Sequence, residues 1–188
     1  MAFKNALHIS HEIIKNVVNQ GDIVVDATAG NGNDTLFLAN LIGDNGKVYA
    51  FDIQDRALKN TNAKLIENNI IHRVELICDG HQNMDKYVSK GVKAVMFNLG
   101  YLPGGDHFVS TQAENTITAI EKSLKLLLVK GIIMMVIYYG GDSGFDEKNA
   151  VMEYIKLLDY KKHSVLVMDY INWVNCPPIA VCIEKIAE

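Results

Sequence analysis

Proline is scarce in this chain, three among 188 residues, and tryptophan occurs once, at Trp173. So few prolines argue against long disordered linkers, and 49% apolar to 21% charged residues is an ordinary globular balance. Cysteine is equally rare. Cys78, Cys176 and Cys182 are an odd set without a Cys-x-x-Cys pair, which argues against a disulfide framework and a zinc site and leaves buried thiols. A basic excess is also missing, because the formal charge is −4. Proteins that grip RNA phosphates usually carry such an excess, so any RNA contact must be local. No segment reaches the roughly 18 apolar residues of a membrane span, and the first ten residues lack an apolar signal core. The expectation is a cytoplasmic protein with no membrane partner, built as one domain over residues 1–188 with residues 1–20 as a leading helix on its body.

What is present is an alternation of strand and helix patterns. Leu7, His11, Ile14 and Val18, widened by Ile13 and Val17, make one helical stripe over residues 4–19. His8 and His11 lie beside it and read as solvated or packed. A strand over residues 22–27 runs into Asp26-Ala-Thr-Ala-Gly30-Asn-Gly32-Asn-Asp34-Thr35, and a helix follows over residues 33–42. Two glycines therefore stand where a strand turns into a helix, a place where the backbone can approach a ligand and fresh helix N–H groups face it. Lys47-Val-Tyr-Ala-Phe-Asp52 predicts a second strand, Asp55 an N-cap, and residues 56–68 a helix with Leu58, Leu65 and Ile66 inward. A third strand, Arg73-Val-Glu-Leu-Ile-Cys78, runs into Asp79-Gly80-His81, and a short helix is predicted near 82–89.

A fourth strand, Val92-Lys-Ala-Val-Met-Phe97, opens into Asn98-Leu-Gly-Tyr101 and a loop through Asp106 and His107. Thr111 and Glu114 read as a capping box for a helix with Ile117, Ile120, Leu124 and Leu127 inward. Gly131-Ile-Ile-Met-Met-Val-Ile137 is apolar throughout, as a central parallel strand would be, and residues 145–158 form a further helix. The last two strand patterns, His163 to Asp169 and Ile179 to Ile183, are separated by too few residues for a parallel crossover, so they must run antiparallel.

The polar residues fall at strand ends, where ligands bind in an open parallel sheet. A dinucleotide site wants Gly-x-Gly-x-x-Gly with an acid about 20 residues on. Gly30, Gly32 and Asp52 satisfy part of that, but Thr35 occupies the third glycine position. Asp26 at the first strand end and the closing hairpin fit S-adenosylmethionine better, with Asp52 suited to ribose hydroxyls and Asp79 to an adenine amine. A donor-binding sensor and a small-metabolite methyltransferase remain alternatives.

The runs Asp26 to Thr35, Phe51-Asp-Ile-Gln54, Phe97 to Gly105 and Asn175-Cys-Pro-Pro178 closely resemble the small bacterial family labelled "putative rRNA methylase". Members of it are assigned as the tRNA 5-aminomethyl-2-thiouridine methyltransferase. The resemblance spans about residue 6 to residue 185. It implies an α/β fold of the class I S-adenosylmethionine-dependent methyltransferase type, a Rossmann-like seven-stranded sheet with an antiparallel C-terminal hairpin. The activity it implies is methylation of the aminomethyl nitrogen on the wobble uridine of tRNA, with rRNA as the other substrate. S-adenosyl-L-methionine is then the cofactor and the anticodon stem-loop the partner, with a homodimer supplying a composite groove. Cofactor contacts are expected from Asp26, Gly30, Asn31, Gly32, Asn33, Asp34, Thr35, Asp52, Ile53, Gln54, Asp79, Gly80, His81 and Asn98. Catalysis is expected from Asn98 and Tyr101, which would hold and stack the target, with Asp106 and His107 as the nearest titratable pair. The family's loop after the fifth strand reads Tyr-Pro-Gly-His, whereas Tyr138-Tyr139-Gly140-Gly141-Asp142 stands here, so no histidine role carries over.

Candidate RNA grips are Lys161-Lys162-His163, Lys86 with Lys90 and Lys93, and Lys4 with Lys15. Trp173 is a candidate base platform or dimer contact.

Overall fold

The computed structural model describes residues 4–100, 112–139 and 144–188. Seven strands form one sheet: β1 (Ile23–Asp26), β2 (Lys47–Phe51), β3 (Val74–Ile77), β4 (Val92–Leu99), β5 (Leu127–Ile137), β6 (His163–Met168) and β7 (Ile179–Lys185). Their spatial order is β3-β2-β1-β4-β5-β7-β6. The first five pair in parallel, and β7 runs antiparallel to both β5 and β6. The antiparallel close follows from the missing crossover helix, as expected. Chain direction of winding reverses between β1 and β4, so their carboxyl ends diverge into a crevice.

Alternation along each strand divides the core into two layers. Val24, Ala94, Met96, Ile132 and Met134 face one way, toward Ile14 of α1 (Ala6–Val17) and Val18 just after it, Leu38 and Ile42 of α2 (Asn33–Ile42), and Leu58 and Leu65 of α3 (Asp55–Glu67). Val25, Val95, Phe97, Ile133 and Met135 face the other way, toward Ile120 and Leu124 of α4 (Ala113–Leu126) and Val151 and Ile155 of α5 (Gly144–Lys156). A sheet covered on both faces needs apolar residues at every central position, and β5 from Gly131 to Ile137 is buried throughout. Among the described residues no helix is long and apolar enough to cross a membrane.

Several local expectations are corrected. Helix α3 begins at Asp55 itself, and the residue before it, Gln54, makes no side-chain cap bond; its backbone N–H is taken by the carboxylate of Asp52. Ile66 is 54% exposed, one position off the stripe set by Leu58 and Leu65. The short helix after β3 is a 3-10 helix, His81–Lys86, ending three residues before the expected 89. Helix α4 is preceded by Gln112, again without a side-chain cap bond, and Thr111 lies outside the described residues. Strand β5 starts four residues early at Leu127, with an irregular register opposite Val92 to Ala94. Lys130 there has φ 65, and a Cβ on Gly131 would meet the carbonyls of Leu128 at 2.8 Å and Lys93 at 3.0 Å. Only glycine lets the strand resume beside β4 at that bulge.

Candidate active site

The turn after β1 is held from inside the protein. Asp26 is fully buried, its Oδ2 accepts from Thr35 Oγ1 at 2.6 Å, and its Oδ1 accepts from the Thr28 N–H at 3.1 Å. These bonds tie the end of β1 to the first turn of α2. Burial, with the nearby Asp34 carboxylate second, pushes the Asp26 carboxyl up to about 7. Gly30 and Gly32 both lie in left-handed space, at φ 52 and φ 75. A Cβ on Gly32 would fall 2.8 to 2.9 Å from atoms of Thr61 on α3. Gly32 is therefore glycine for the sake of helix packing. Gly30 lines the crevice, and its carbonyl accepts from Thr61 Oγ1 at 3.0 Å.

The acids at the next two strand ends brace this turn and their own loops. Asp52 accepts the Gly30 N–H and the Gln54 N–H, each at 2.9 Å. Ile53 beside it is exposed. Asp79 accepts from the Gly80 N–H, Asn83 Nδ2 and the Tyr87 hydroxyl at 2.7 to 3.0 Å. The Asn83 bond is the main reason its carboxyl sits below the ordinary range. His81 turns inward: its Nδ1 lies 3.1 Å from the Ala27 carbonyl, its ring meets Phe97 edge-on at 5.6 Å, and burial lowers its basicity. Asn31 and Asn33 line the crevice and accept from Asn60 and Lys64 of α3.

The opposite wall is assembled from four elements. A cavity of about 370 Å³ is bounded by Leu7 of α1, Thr28 to Asn31, Asp34, Asn98 to Gly100, and Tyr138 beyond β5. The Asn98 N–H donates to Thr28 Oγ1 at 2.7 Å, and Asn98 Nδ2 donates to Asp34 Oδ2. A carboxylate only accepts, so this bond fixes which end of the amide is nitrogen. Asn98 Oδ1 is then a buried acceptor without a partner among the described residues. The other oxygen of Asp34 lies 2.6 Å from His11 Nε2, and the His11 ring stacks on Phe37 at 4.0 Å and 9°. Tyr138 is half-exposed, its N–H donates to the Leu99 carbonyl at 3.0 Å, and burial followed by the charge of Asp34 raises its phenol.

The expected site residues thus divide. Gly30, Asn31, Asn33, Asp34 and Asn98 line the cavity; Asp52 meets that wall through the Gly30 N–H, and Ile53, Gln54, Asp79 and Gly80 are not among the lining residues. Asp26, Gly32, Thr35 and His81 stand behind the turn with their side chains or Cβ positions spent on the fold. Tyr101, Asp106 and His107 lie outside the described residues. His11 and Tyr138 were missed as site residues. Tyr138 follows a parallel strand end, which was signal enough. His11 was on the inward stripe, but nothing local says which element that stripe covers. Trp173 stacks on Tyr170 at 4.1 Å, half-exposed. Of the expected grips, Lys15 pairs with Glu12 and Lys93 donates to the Lys130 carbonyl. Lys90, Lys162 and His163 border a groove at the opposite end of the sheet from the crevice.

Strand order, the antiparallel close and a glycine turn at the β1 to β4 divergence define a class I S-adenosylmethionine-dependent methyltransferase. The family model described as "Putative rRNA methylase" matches residues 48–184, and the chain belongs to that family. It is 60% identical to a structure of the same description from Clostridium thermocellum, which covers 98% of this chain and 100% of that one at a TM-score of 0.97. A Streptococcus mutans "putative methyltransferase" solved in complex with SAH is 43% identical, covering 97% and 99% of the two chains at a TM-score of 0.89. The chloroplastic tRNA (mnm(5)s(2)U34)-methyltransferase of Arabidopsis thaliana is 35% identical over 158 residues, which is 79% of this chain. The chain spans 58% of that relative's length.

Proposed function

We propose that the protein uses S-adenosylmethionine to methylate the aminomethyl nitrogen of 5-aminomethyl-2-thiouridine at the wobble position of tRNA. The residues on the turn side suit the donor. Gly30 presents bare backbone to the cavity, Asp52 keeps a second lone pair on each oxygen for ribose hydroxyls, and Asp79, with three of its roughly four acceptor sites filled, retains one for an adenine amine. Bound there, the donor supplies an electrophilic methyl group for in-line displacement by a nitrogen lone pair.

The observation that carries the choice of nitrogen is the orphaned Asn98 Oδ1. An unpaired buried acceptor costs about 1–3 kcal/mol, so a ligand that brings an N–H to it recovers that loss. A primary alkylamine has an ordinary pKa of roughly 10 and arrives with several N–H groups. Asn98 Oδ1 holds one of them and orients the nitrogen, and orientation is most of what such a reaction asks of the enzyme. The tRNA identity is supported by the Arabidopsis thaliana relative's name and by the family. Mass spectrometry of tRNA nucleosides tests both parts. Wild-type protein should convert the aminomethyl nucleoside to its methylated form, and Asn98→Ala should lower the rate about 100-fold with donor affinity within about threefold. Conversion at wild-type rate by Asn98→Ala removes the assigned role, and methyl transfer only to rRNA or to a free metabolite removes the tRNA reading.

The RNA-binding form we propose is a homodimer. β6 is the sheet edge, and on it and the loop that follows, Leu166, Ile171, Trp173 and Val174 are exposed, Ile171 at 97% and Val174 at 80%. An exposed apolar edge strand is a template for pairing, and a second copy is the simplest cover. Light scattering should give twice the chain mass at micromolar concentration. A monomer at every concentration rules the dimer out.

A further inference from the structure

Asp34 stands at the crevice wall beside Asn98, outside the set of bonds that brace the glycine turn. Its carboxylate is almost fully buried, yet it lines the cavity. One oxygen is met by His11 Nε2 at 2.6 Å and the other by Asn98 Nδ2, and each keeps a second lone pair. Titratable groups face it from three elements: His11 from α1, Asp26 from the end of β1, and the Tyr138 phenol beyond β5. Among the described residues no lysine or arginine pairs with it. His11 is itself fixed by its stack on Phe37, so the carboxylate is held in place without being neutralised by a permanent cation. Immediately beside it stands Asn98 Oδ1, which has no partner among the described residues. The wall therefore offers two acceptors and one negative charge to an incoming group, the complement of an ammonium.

We infer that Asp34 is the catalytic residue that receives the substrate ammonium and takes its proton, with His11 as the positioning residue that aims it. This inference rests on the aminomethyl-uridine reading above and adds to it the base and the source of selectivity. An ammonium bonds to Asp34 and to Asn98 Oδ1. One N–H bond then breaks, its electron pair stays on nitrogen as the lone pair that reacts, and the proton joins the Asp34 carboxylate. From there it passes to water at the crevice mouth. A neutral uridine lacking the aminomethyl group has no cation to offset the buried carboxylate, so this wall rejects it.

Two variants test the assignment. Asp34→Asn keeps size and hydrogen-bonding capacity without the charge. His11→Phe keeps the ring stack, lies off the glycine turn, and frees one Asp34 oxygen. The first readout needs no turnover: binding of an anticodon stem-loop carrying 5-aminomethyl-2-thiouridine is compared with that of the same hairpin carrying 2-thiouridine, without methyl donor. Wild type should prefer the aminomethyl hairpin at least about tenfold. Asp34→Asn should bring the ratio near one, and His11→Phe should reduce it. The second readout is the single-turnover rate between pH 6 and 9.5. The Asp34→Asn rate should rise about tenfold per pH unit, following the free amine toward its pKa of roughly 10, while the wild-type rate rises much less steeply. Donor affinity by calorimetry and the melting temperature confirm that each variant is folded. A wild-type preference that survives in Asp34→Asn with an unchanged pH profile overturns this inference alone. A wild type with no preference for the aminomethyl hairpin overturns the substrate reading and this inference together.

Discussion

The two walls of the crevice are built on opposite principles. On the turn side every acid is answered from within: Asp26 by Thr35 and Thr28, Asp52 by two backbone N–H groups, Asp79 by three donors. On the Asn98 side an acceptor has no partner among the described residues, beside a carboxylate held by His11 and by the Asn98 amide nitrogen. Satisfied polar groups rigidify a loop, and unsatisfied ones cost stability unless something uses them. The first wall is therefore scaffold for a ligand of fixed shape, and the second is a charged acceptor set waiting for donors.

Substitutions on the two walls should separate accordingly. The largest loss of stability is expected at Gly32→Ala, where left-handed φ and a Cβ 2.8 to 2.9 Å from Thr61 coincide. Strain and overpacking together should lower stability by about 3 kcal/mol in urea unfolding, and an unchanged midpoint would contradict the packing role. Next is Asp26→Asn, read through pH. The Asp26 carboxyl rises from 3.8 to about 7 on folding, so the folded protein binds that proton more tightly than the unfolded chain. Its contribution is full below about pH 4 and is lost as pH rises to about 7, because ionisation then competes with burial. Asp26→Asn should flatten that fall, gaining on wild type by on the order of 4 kcal/mol between pH 4 and 8; parallel stability curves would refute it. The smallest effect on stability belongs to the other wall. Asn98→Ala, expected to slow methyl transfer about 100-fold, should change unfolding free energy by only about 1 kcal/mol or less, since it removes an acceptor without a partner among the described residues along with one hydrogen bond.

Much of this was legible in the chain, and for local reasons. Helix stripes and apolar strand runs placed the elements to within a few residues because burial on one or both faces imposes its period on the residues. Boundaries failed where a neighbour supplied what a local signal was assumed to supply. Asp55 reads as a cap, but the helix already includes it, and the N–H of Gln54 at the cap position is held by Asp52. Gly131 reads as a strand start, but the bulge opposite Lys93 extends β5 back to Leu127.

The order of strands and helices, the antiparallel ending and the end of the sheet that binds ligands were determined by the sequence alone, since they depend on spacing and on connections too short to cross over. Which acids brace the turn and which face the crevice was decided only by tertiary structure. Asp26 and Asp34 stand eight residues apart on the same turn, yet one is sealed behind Thr35 and the other meets Asn98, 64 residues on, and His11 from the leading helix. A carboxylate's role is set by which donors surround it, and those donors come from parts of the chain that only folding brings together.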